Sequence, residues 1–440
     1  MSQSIRRDPG VRDSLLLKAW QAAAGVITIA FIARHMDPVV QGYYYAFASL
    51  IALQLFFELG LYLVVSVSAS HEWARLHLAP DGRIAGDGDA LSRLVSLGRF
   101  VFKWYGAAAA LFLLLAGGVG LHFFGRTDAD VDWKAPWLLH VAFAAGNLWL
   151  LPFLSLLEGC DQFKSTARFR LLQSLASSAA VWAMLAGGAQ LWAIPVLSGV
   201  SLAMLLAYLG WTRRQFLAPF RRRPAAATMS WRHDLLPMQW RLALQGLFSY
   251  LSFPLYPALV FSAVGAAEAG RLGMSLQIVS AMQSLALVLL STRAPAMAIA
   301  VALRRHDAAE AQWRRASAQS LSLMVLLSLA FLAALGLAVG SQWPVAQRVL
   351  PPGACAMLVG GSLLALAVQC AATYLRAHKR ERLTPVGVIA GASYGASAWA
   401  VASAWGSWGV AASYLAVTAL VALPLTAWVF ATVRREDARG

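Results

Sequence analysis

Charge is what this sequence lacks most: Asp, Glu, Lys and Arg make up 13% of its 440 residues, where a soluble domain carries about 25%. A chain of this length without that polar shell cannot cover its surface for water. Its 59% hydrophobic content, against roughly 45 to 50% in soluble domains, points to lipid as the solvent. Cysteine is scarce as well. Cys160, Cys355 and Cys370 show no CxxC spacing, which excludes a disulfide framework or a cysteine metal site and leaves three small packing residues. Also missing are a Walker A loop, a GxSxG elbow, an HExxH helix and a DxD-type pair in a sizeable loop outside the membrane, so phosphate-loop, serine and metalloprotease chemistries have no foothold.

Long apolar runs are present instead. Twelve segments reach the roughly 20 residues needed to cross a bilayer: 15–34, 43–67, 99–123, 136–157, 169–190, 192–211, 237–260, 270–292, 318–340, 351–374, 383–404 and 408–432. The divisions at Gly187 to Trp192 and Ala404 to Gly409 are tight, uncharged turns, so a merged or re-entrant pair stays open at each. Met1 to Asp13 is polar and the apolar run after it is long enough to remain a helix, so no cleavable signal is expected.

The net charge of +16 would suggest nucleic acid in a soluble protein. Its placement argues otherwise. With both termini in the cytoplasm and an even number of spans, all Lys and Arg lie inside except Arg34, Arg126, Lys134, Arg271 and Arg348, as the positive-inside rule requires. No nucleic-acid partner is expected. The longest basic segment, Thr212 to His233, separates two groups of six spans, predicted as domains 1–220 and 221–440 with the same orientation. A faint echo supports duplication: Lys18 and Trp20 open the first span and Gly42 begins the second, while Trp240 and Arg241 open the seventh and Gly270 begins the eighth. The fold class expected is an all-α integral membrane protein of two six-helix bundles.

Charge inside a span costs about 2.5 to 3.5 kcal/mol on insertion scales and faces a wet cavity or a partner. Glu58, in LQLFFELGLYL, is the deepest. It reads as an acceptor for a coupling proton or partner for a cation, or else as a structural ion pair or helix-end cap. Lys18 and Arg241 lie about one turn inside the first helix of each half. They read as snorkelling cations, or as a pair facing a cavity that takes an anion such as a pyrophosphate. Arg34 closes the first span, guiding substrate or anchoring the helix. Asn147, Gln173, Gln245, Gln277, Gln283 and Gln369 are candidates to line a path or to bond between helices. Ala294 to Arg315, with Trp313 among four arginines, is expected to form an amphipathic helix on the membrane surface.

From Leu15 to Leu76 the pattern resembles the Wzx-like polysaccharide flippases of the MATE-related multidrug/oligosaccharidyl-lipid/polysaccharide (MOP) exporter superfamily. The residues that carry the resemblance are Ile32-Ala33-Arg34, Gly42-Tyr43-Tyr44 and Phe57-Glu58-Leu59-Gly60-Leu61, with a looser match at Arg293-Ala294-Pro295. The resemblance implies two six-helix bundles around a cationic cavity, moving an undecaprenyl-pyrophosphate-linked oligosaccharide across the bacterial inner membrane by alternating access. It also implies coupling to an H+ or Na+ gradient without a bound cofactor, and partners among membrane lipids and other polysaccharide-assembly proteins. Arg34 and Glu58 fall on its motif positions, Lys18 only approximates the family's opening basic residue, and Arg241 matches none. Twelve spans, where lipid II flippases have fourteen, argue against a peptidoglycan precursor.

Other readings are a MATE-type or other secondary exporter of drugs or small molecules, whose cationic substrates favour acidic cavities, and a major-facilitator carrier, whose Gly-x-x-x-Asp-Arg signature is missing from Ser70 to Arg99. A membrane-embedded polysaccharide-modifying enzyme is a further class. The longest outer stretch, Phe124 to Ala135, is too short to hold a sugar polymer, so no enzyme is expected.

Overall fold

A computed structural model describes residues 9–437 except 59, 128–129, 222, 225–227, 379 and 381; of some residues within helices, Arg241 and Gln245 among them, only the backbone is described. The chain runs through helices α1 (Pro9–His35), α2 (Pro38–Ile51), α3 (Gln54–Glu58) and α4 (Leu61–Trp73), strands β1 (Leu76–Leu78) and β2 (Ile84–Gly86), then α5 (Gly88–Phe124), α6 (Lys134–Gly159), α7 (Phe163–Ala186) and α8 (Ala193–Ala207). It continues through α9 (Leu236–Tyr250), α10 (Tyr256–Ala263), α11 (Ala266–Ser291), α12 (Ala294–Ala302), α13 (His306–Gly340), α14 (Pro352–Ala377), α15 (Thr384–Val417) and α16 (Leu423–Asp437).

Among the described residues, ten stretches are long and apolar enough to cross a membrane, making this a multi-pass membrane protein. The last of them, Thr384–Glu436, spans 53 residues and is broken at Gly406, whose φ of 55° and ψ of −142° no helix accommodates. Two of the twelve expected spans therefore lie in that one stretch. The expected seventh span is in pieces, α9 and α10, with the turn at Phe253–Leu255 between them. Leucine and tryptophan side chains facing outward, such as Leu114, Leu337 and Trp399, suit a lipid solvent.

By its contacts the chain forms two compact units, one of Met1–Ala24 with Leu50–Leu247 and one of Gly25–Ser49 with Phe248–Gly440. The first unit thus runs past the expected cut at residue 220, and the end of α1 with most of α2 belongs to the second unit.

The predicted span 43–67 is not one rod. A turn at Ala52–Leu53 and Gly60, at φ 66°, divide it into α2, α3 and α4; the left-handed conformation favours the glycine because it has no Cβ. Behind α4 comes a feature the sequence reading did not anticipate, an antiparallel hairpin pairing Leu76 with Gly86 and Leu78 with Ile84. Its foot is pinned by Glu72, nearly fully buried, which accepts from Arg93 at 2.8 Å and Arg75 at 3.1 Å. Asp87 then caps α5, accepting from the Ala90 amide at 2.7 Å.

In the second unit, Gly42 and Gly270 pack against each other: a Cβ on Gly270 would lie 2.9 Å from the Gly42 nitrogen, and one on Gly42 would strike the Ala266 carbonyl. Gln41 locks this contact, donating to the Gly270 and Arg348 carbonyls at 2.8 and 3.0 Å. The expected surface helix over 294–315 is not continuous. Arg304, at φ 56°, ends α12, and Trp313 belongs to α13, where its indole donates to the Cys370 carbonyl at 2.8 Å. Once the chain turns, that indole is worth more packed against Tyr374 and Phe430 than lying on a surface.

Candidate functional site

The first unit encloses a cavity of about 430 Å³. One side comes from Leu17 and Gln21 of α1, and from Gln54 and Glu58 of α3. The rest is a polar wall from α6, α7 and α8, including Asn147, Arg170, Gln173, Ser177 and Ser201. Among the described residues, no aromatic side chain lines it.

That wall is held by hydrogen bonds between helices. Asn147 donates to the Phe143 carbonyl at 2.8 Å, one turn back on α6, and to the Ser198 carbonyl at 2.9 Å on α8. Gln173 on α7 donates to the Ser201 carbonyl and hydroxyl, both at 2.9 Å. The Ser201 hydroxyl returns a bond to the Asn147 amide oxygen at 3.3 Å. In an apolar medium each such group left unpaired costs several kcal/mol, so the network fixes three helices in register and turns its remaining polar atoms to the cavity. His140, at 2.9 Å from the Ser198 hydroxyl, is buried behind this network.

The charged corner is built by close packing. A Cβ on Gly159 would come within 2.4 Å of the Ser66 carbonyl oxygen, so α4 and α6 approach to backbone contact. Tyr62 and Glu158, beside that crossing, consequently meet: the Tyr62 hydroxyl donates to Glu158. Arg170 reaches in from α7, donating to the Tyr62 hydroxyl and pairing with Glu158 at 3.2 Å. Its guanidinium lies over the Tyr62 ring, 5.5 Å from the centroid, adding a cation–π attraction of about 0.5 to 2 kcal/mol. Arg170 Nε is buried with no hydrogen-bond partner among the described residues. Arg170 also acts electrostatically on Glu58, the carboxylate that lines the cavity, and the Glu58 carbonyl accepts from Tyr105 at 3.4 Å.

Of the sequence candidates, Glu58 reaches this cavity, as do Asn147 and Gln173. Lys18 is exposed on α1, one turn from the cavity-lining Gln21, and Arg34 is exposed at the far end of that helix. Arg241 lies on α9 with its side chain outside the described residues. Gln277 bonds between helices, accepting from Tyr45 at 2.6 Å. The cluster that sequence reasoning missed is Tyr62, Glu158 and Arg170. Its only signal was a set of charged residues from Glu158 to Arg170 around the α6–α7 turn, indistinguishable in one dimension from ordinary loop charges.

No protein-family model matches the chain, and no curated protein does. Solved structures do. One is described as the inward-facing conformation of a multidrug resistance MATE family transporter of the MOP superfamily, with a TM-score of 0.63, 12% identity, and coverage of 95% of this chain and 96% of that one. The lipid II flippase MurJ, in an inward closed conformation, also aligns with a TM-score of 0.63, at 11% identity over 94% of this chain and 87% of that one. A point mutant of the Vibrio cholerae MATE transporter VcmN follows with a TM-score of 0.53, 12% identity, and coverage of 97% of this chain and 96% of that one. The chain shares the fold of these MATE and MurJ structures. At these identities the likeness speaks for the fold alone, and the residues of the cavity carry the rest.

Proposed function

We propose that this protein is a transporter rather than an enzyme, and that it flips an undecaprenyl-pyrophosphate-linked oligosaccharide from the cytoplasmic to the periplasmic leaflet of a bacterial inner membrane. The observation that carries the reading is the cavity wall of amides and hydroxyls around one arginine. Such a wall offers donors and acceptors to a hydroxyl-rich head that hydrocarbon cannot solvate, while Arg170 is matched to a pyrophosphate oxygen. MurJ, described as a lipid II flippase, has the same fold. In this reading Glu58 is the site of H+ or Na+ coupling, and exchange of a cation there alters how tightly Arg170 is held. Lys18, Arg34 and Arg241 serve as cations along the headgroup's route, with both termini in the cytoplasm.

The test is to delete the gene and assay the leaflet in which the lipid-linked oligosaccharide resides. Accumulation on the cytoplasmic side is expected, and restoration by the wild-type chain but not by Glu58→Gln. Complete loss of the lipid-linked sugar would show a synthetic enzyme instead. A second reading, export of an organic cation in the manner of MATE transporters, is favoured by one observation: Glu58 and Glu158 place two carboxylates in or beside the cavity against one arginine. The lining without rings weighs against it, since flat cationic drugs are held by ring faces. Unchanged drug susceptibility of the deletion strain is expected.

A further inference from the structure

A second groove in the first unit lies where α7 begins and α8 ends, away from the polar cavity. It has a volume of about 510 Å³, and its lining includes Asp161, Lys164, Arg168, Phe169, Leu172 and Tyr208. On α7, Lys164, Arg168 and Leu172 stand at i, i+4 and i+8 and so form one stripe. At 1.5 Å rise per residue the two cations occupy the first ~6 Å of it and the leucine lies ~6 Å further in. Leu172 is 50% exposed, although it sits inside the apolar span Phe163–Ala186. The stripe therefore passes from charge to grease in the direction in which a lipid passes from headgroup to acyl chain.

Two rings line the groove together. Phe169 and Tyr208 stack with centroids 4.3 Å apart and planes 14° from parallel. Arg213 braces them from just beyond α8, donating to the Tyr208 hydroxyl at 3.0 Å, to the Gln162 amide oxygen at 3.1 Å and to the Ser165 hydroxyl. Each of those acceptors is neutral, so the charge of Arg213 stays uncompensated by its partners. Lys164 and Arg168 are exposed and enter no ion pair among the described residues. Three cations thus stand against one carboxylate, Asp161. Basic pockets between membrane helices that open onto acyl-chain depth suit a phosphodiester headgroup.

We infer that this groove seats one anionic phospholipid, its phosphate between Lys164 and Arg168 and an acyl chain over Leu172, bracing the α7–α8 hairpin that also carries part of the polar wall. The occupant is a bilayer lipid and not the transported molecule, since neither Glu58 nor Arg170 lines the groove.

The experiment uses the full chain in a neutral detergent. Phosphatidylglycerol, phosphatidylcholine and inorganic pyrophosphate are titrated separately, with thermal unfolding and native mass spectrometry as readouts. Phosphatidylglycerol is expected to raise the unfolding temperature and to leave one tightly held lipid per chain, while the other two do neither. Lys164→Gln with Arg168→Gln should weaken that lipid about thirtyfold, the factor two surface cations supply together, and Lys164→Arg with Arg168→Lys should keep it. Arg304→Gln with Arg305→Gln, equally exposed cations of the second unit, should keep it as well. Equal loss in the two glutamine pairs would overturn the inference in favour of diffuse attraction. Protection by pyrophosphate alone would overturn it in favour of a soluble anion. Neither result touches the proposed transport function, which the leaflet assay reads separately.

Discussion

Gly159 and Ser66 meet backbone to backbone, so closely that a Cβ on the glycine would stand 2.4 Å from the serine carbonyl oxygen and 2.8 Å from the Ala69 methyl. The ion-paired corner of the cavity depends on that crossing. Gly159→Val is expected to force α4 from α6 at a cost of about 1 to 3 kcal/mol and to separate Tyr62 from Glu158, lowering both the unfolding temperature and transport. Gly117→Ala is the control, because nothing lies within 4 Å of its added Cβ; a Gly159 variant as stable as this one would show that the crossing is slack.

Arg170 and Glu158 form a coupled pair whose side chains are 32% and 17% exposed. Arg170→Ala strands a partly buried carboxylate and is expected to destabilise more than Arg170→Ala with Glu158→Gln together. A double-mutant cycle on thermal or denaturant unfolding should give a coupling of about 1 kcal/mol, discounted for the exposed side of the arginine. A coupling of zero would mean that the pair is held by its helices and not by its charge.

Glu58→Gln keeps the size of the side chain and removes its capacity to exchange a proton or hold a cation. Reconstituted in liposomes, this variant is expected to bind substrate while losing tenfold or more of the transport driven by an imposed ion gradient. Retained gradient dependence would move the coupling site elsewhere.

Gln173→Ala removes one donor from the bond network of the cavity wall and leaves the Ser201 hydroxyl with one partner fewer. If the wall recognises a saccharide, affinity should fall about two- to twelvefold, the value of one hydrogen bond to a neutral group, with little change in expression. An effect confined to stability would make the network scaffolding only.

Gly42→Ala is expected to disrupt the second unit, since its Cβ would lie 1.9 Å from the Ala266 carbonyl oxygen, whereas Gly25→Ala meets nothing within 4 Å. Melting curves of the two variants separate a steric requirement from the general preference of membrane helices for small residues.

Topology is checked by cysteine labelling at positions such as Arg214 and Arg304, both exposed. Both are expected to react from the side on which the protein is synthesised. Labelling of Arg214→Cys from outside the cell would overturn the orientation on which the direction of flipping depends.

Much of the membrane architecture was legible in one dimension. Long apolar runs oblige helices because a backbone in lipid must satisfy its own hydrogen bonds, and the run lengths placed most spans to within a few residues. The break inside the expected span 43–67 was not legible. Gly60 is an ordinary glycine by its neighbours, and only the fold that holds it at φ 66° makes it the end of a helix, whereas the break at Gly406, φ 55°, falls in the turn expected at Ala404 to Gly409. Glu58, read as mid-span, therefore stands at the end of a five-residue helix. The pairing of Gly42 with Gly270 was visible as an echo of position, but not as a contact.

The sequence by itself determined the solvent, the helical class and the spacing of charge along the chain, since each follows from composition and period with no need of a partner. Tertiary structure alone decided which charges share a cavity. Glu158 stands at the end of α6, Arg170 about two turns inside α7 and Tyr62 nearly a hundred residues before Glu158, and their meeting depends on the α4–α6 crossing permitted by the absence of a side chain at Gly159.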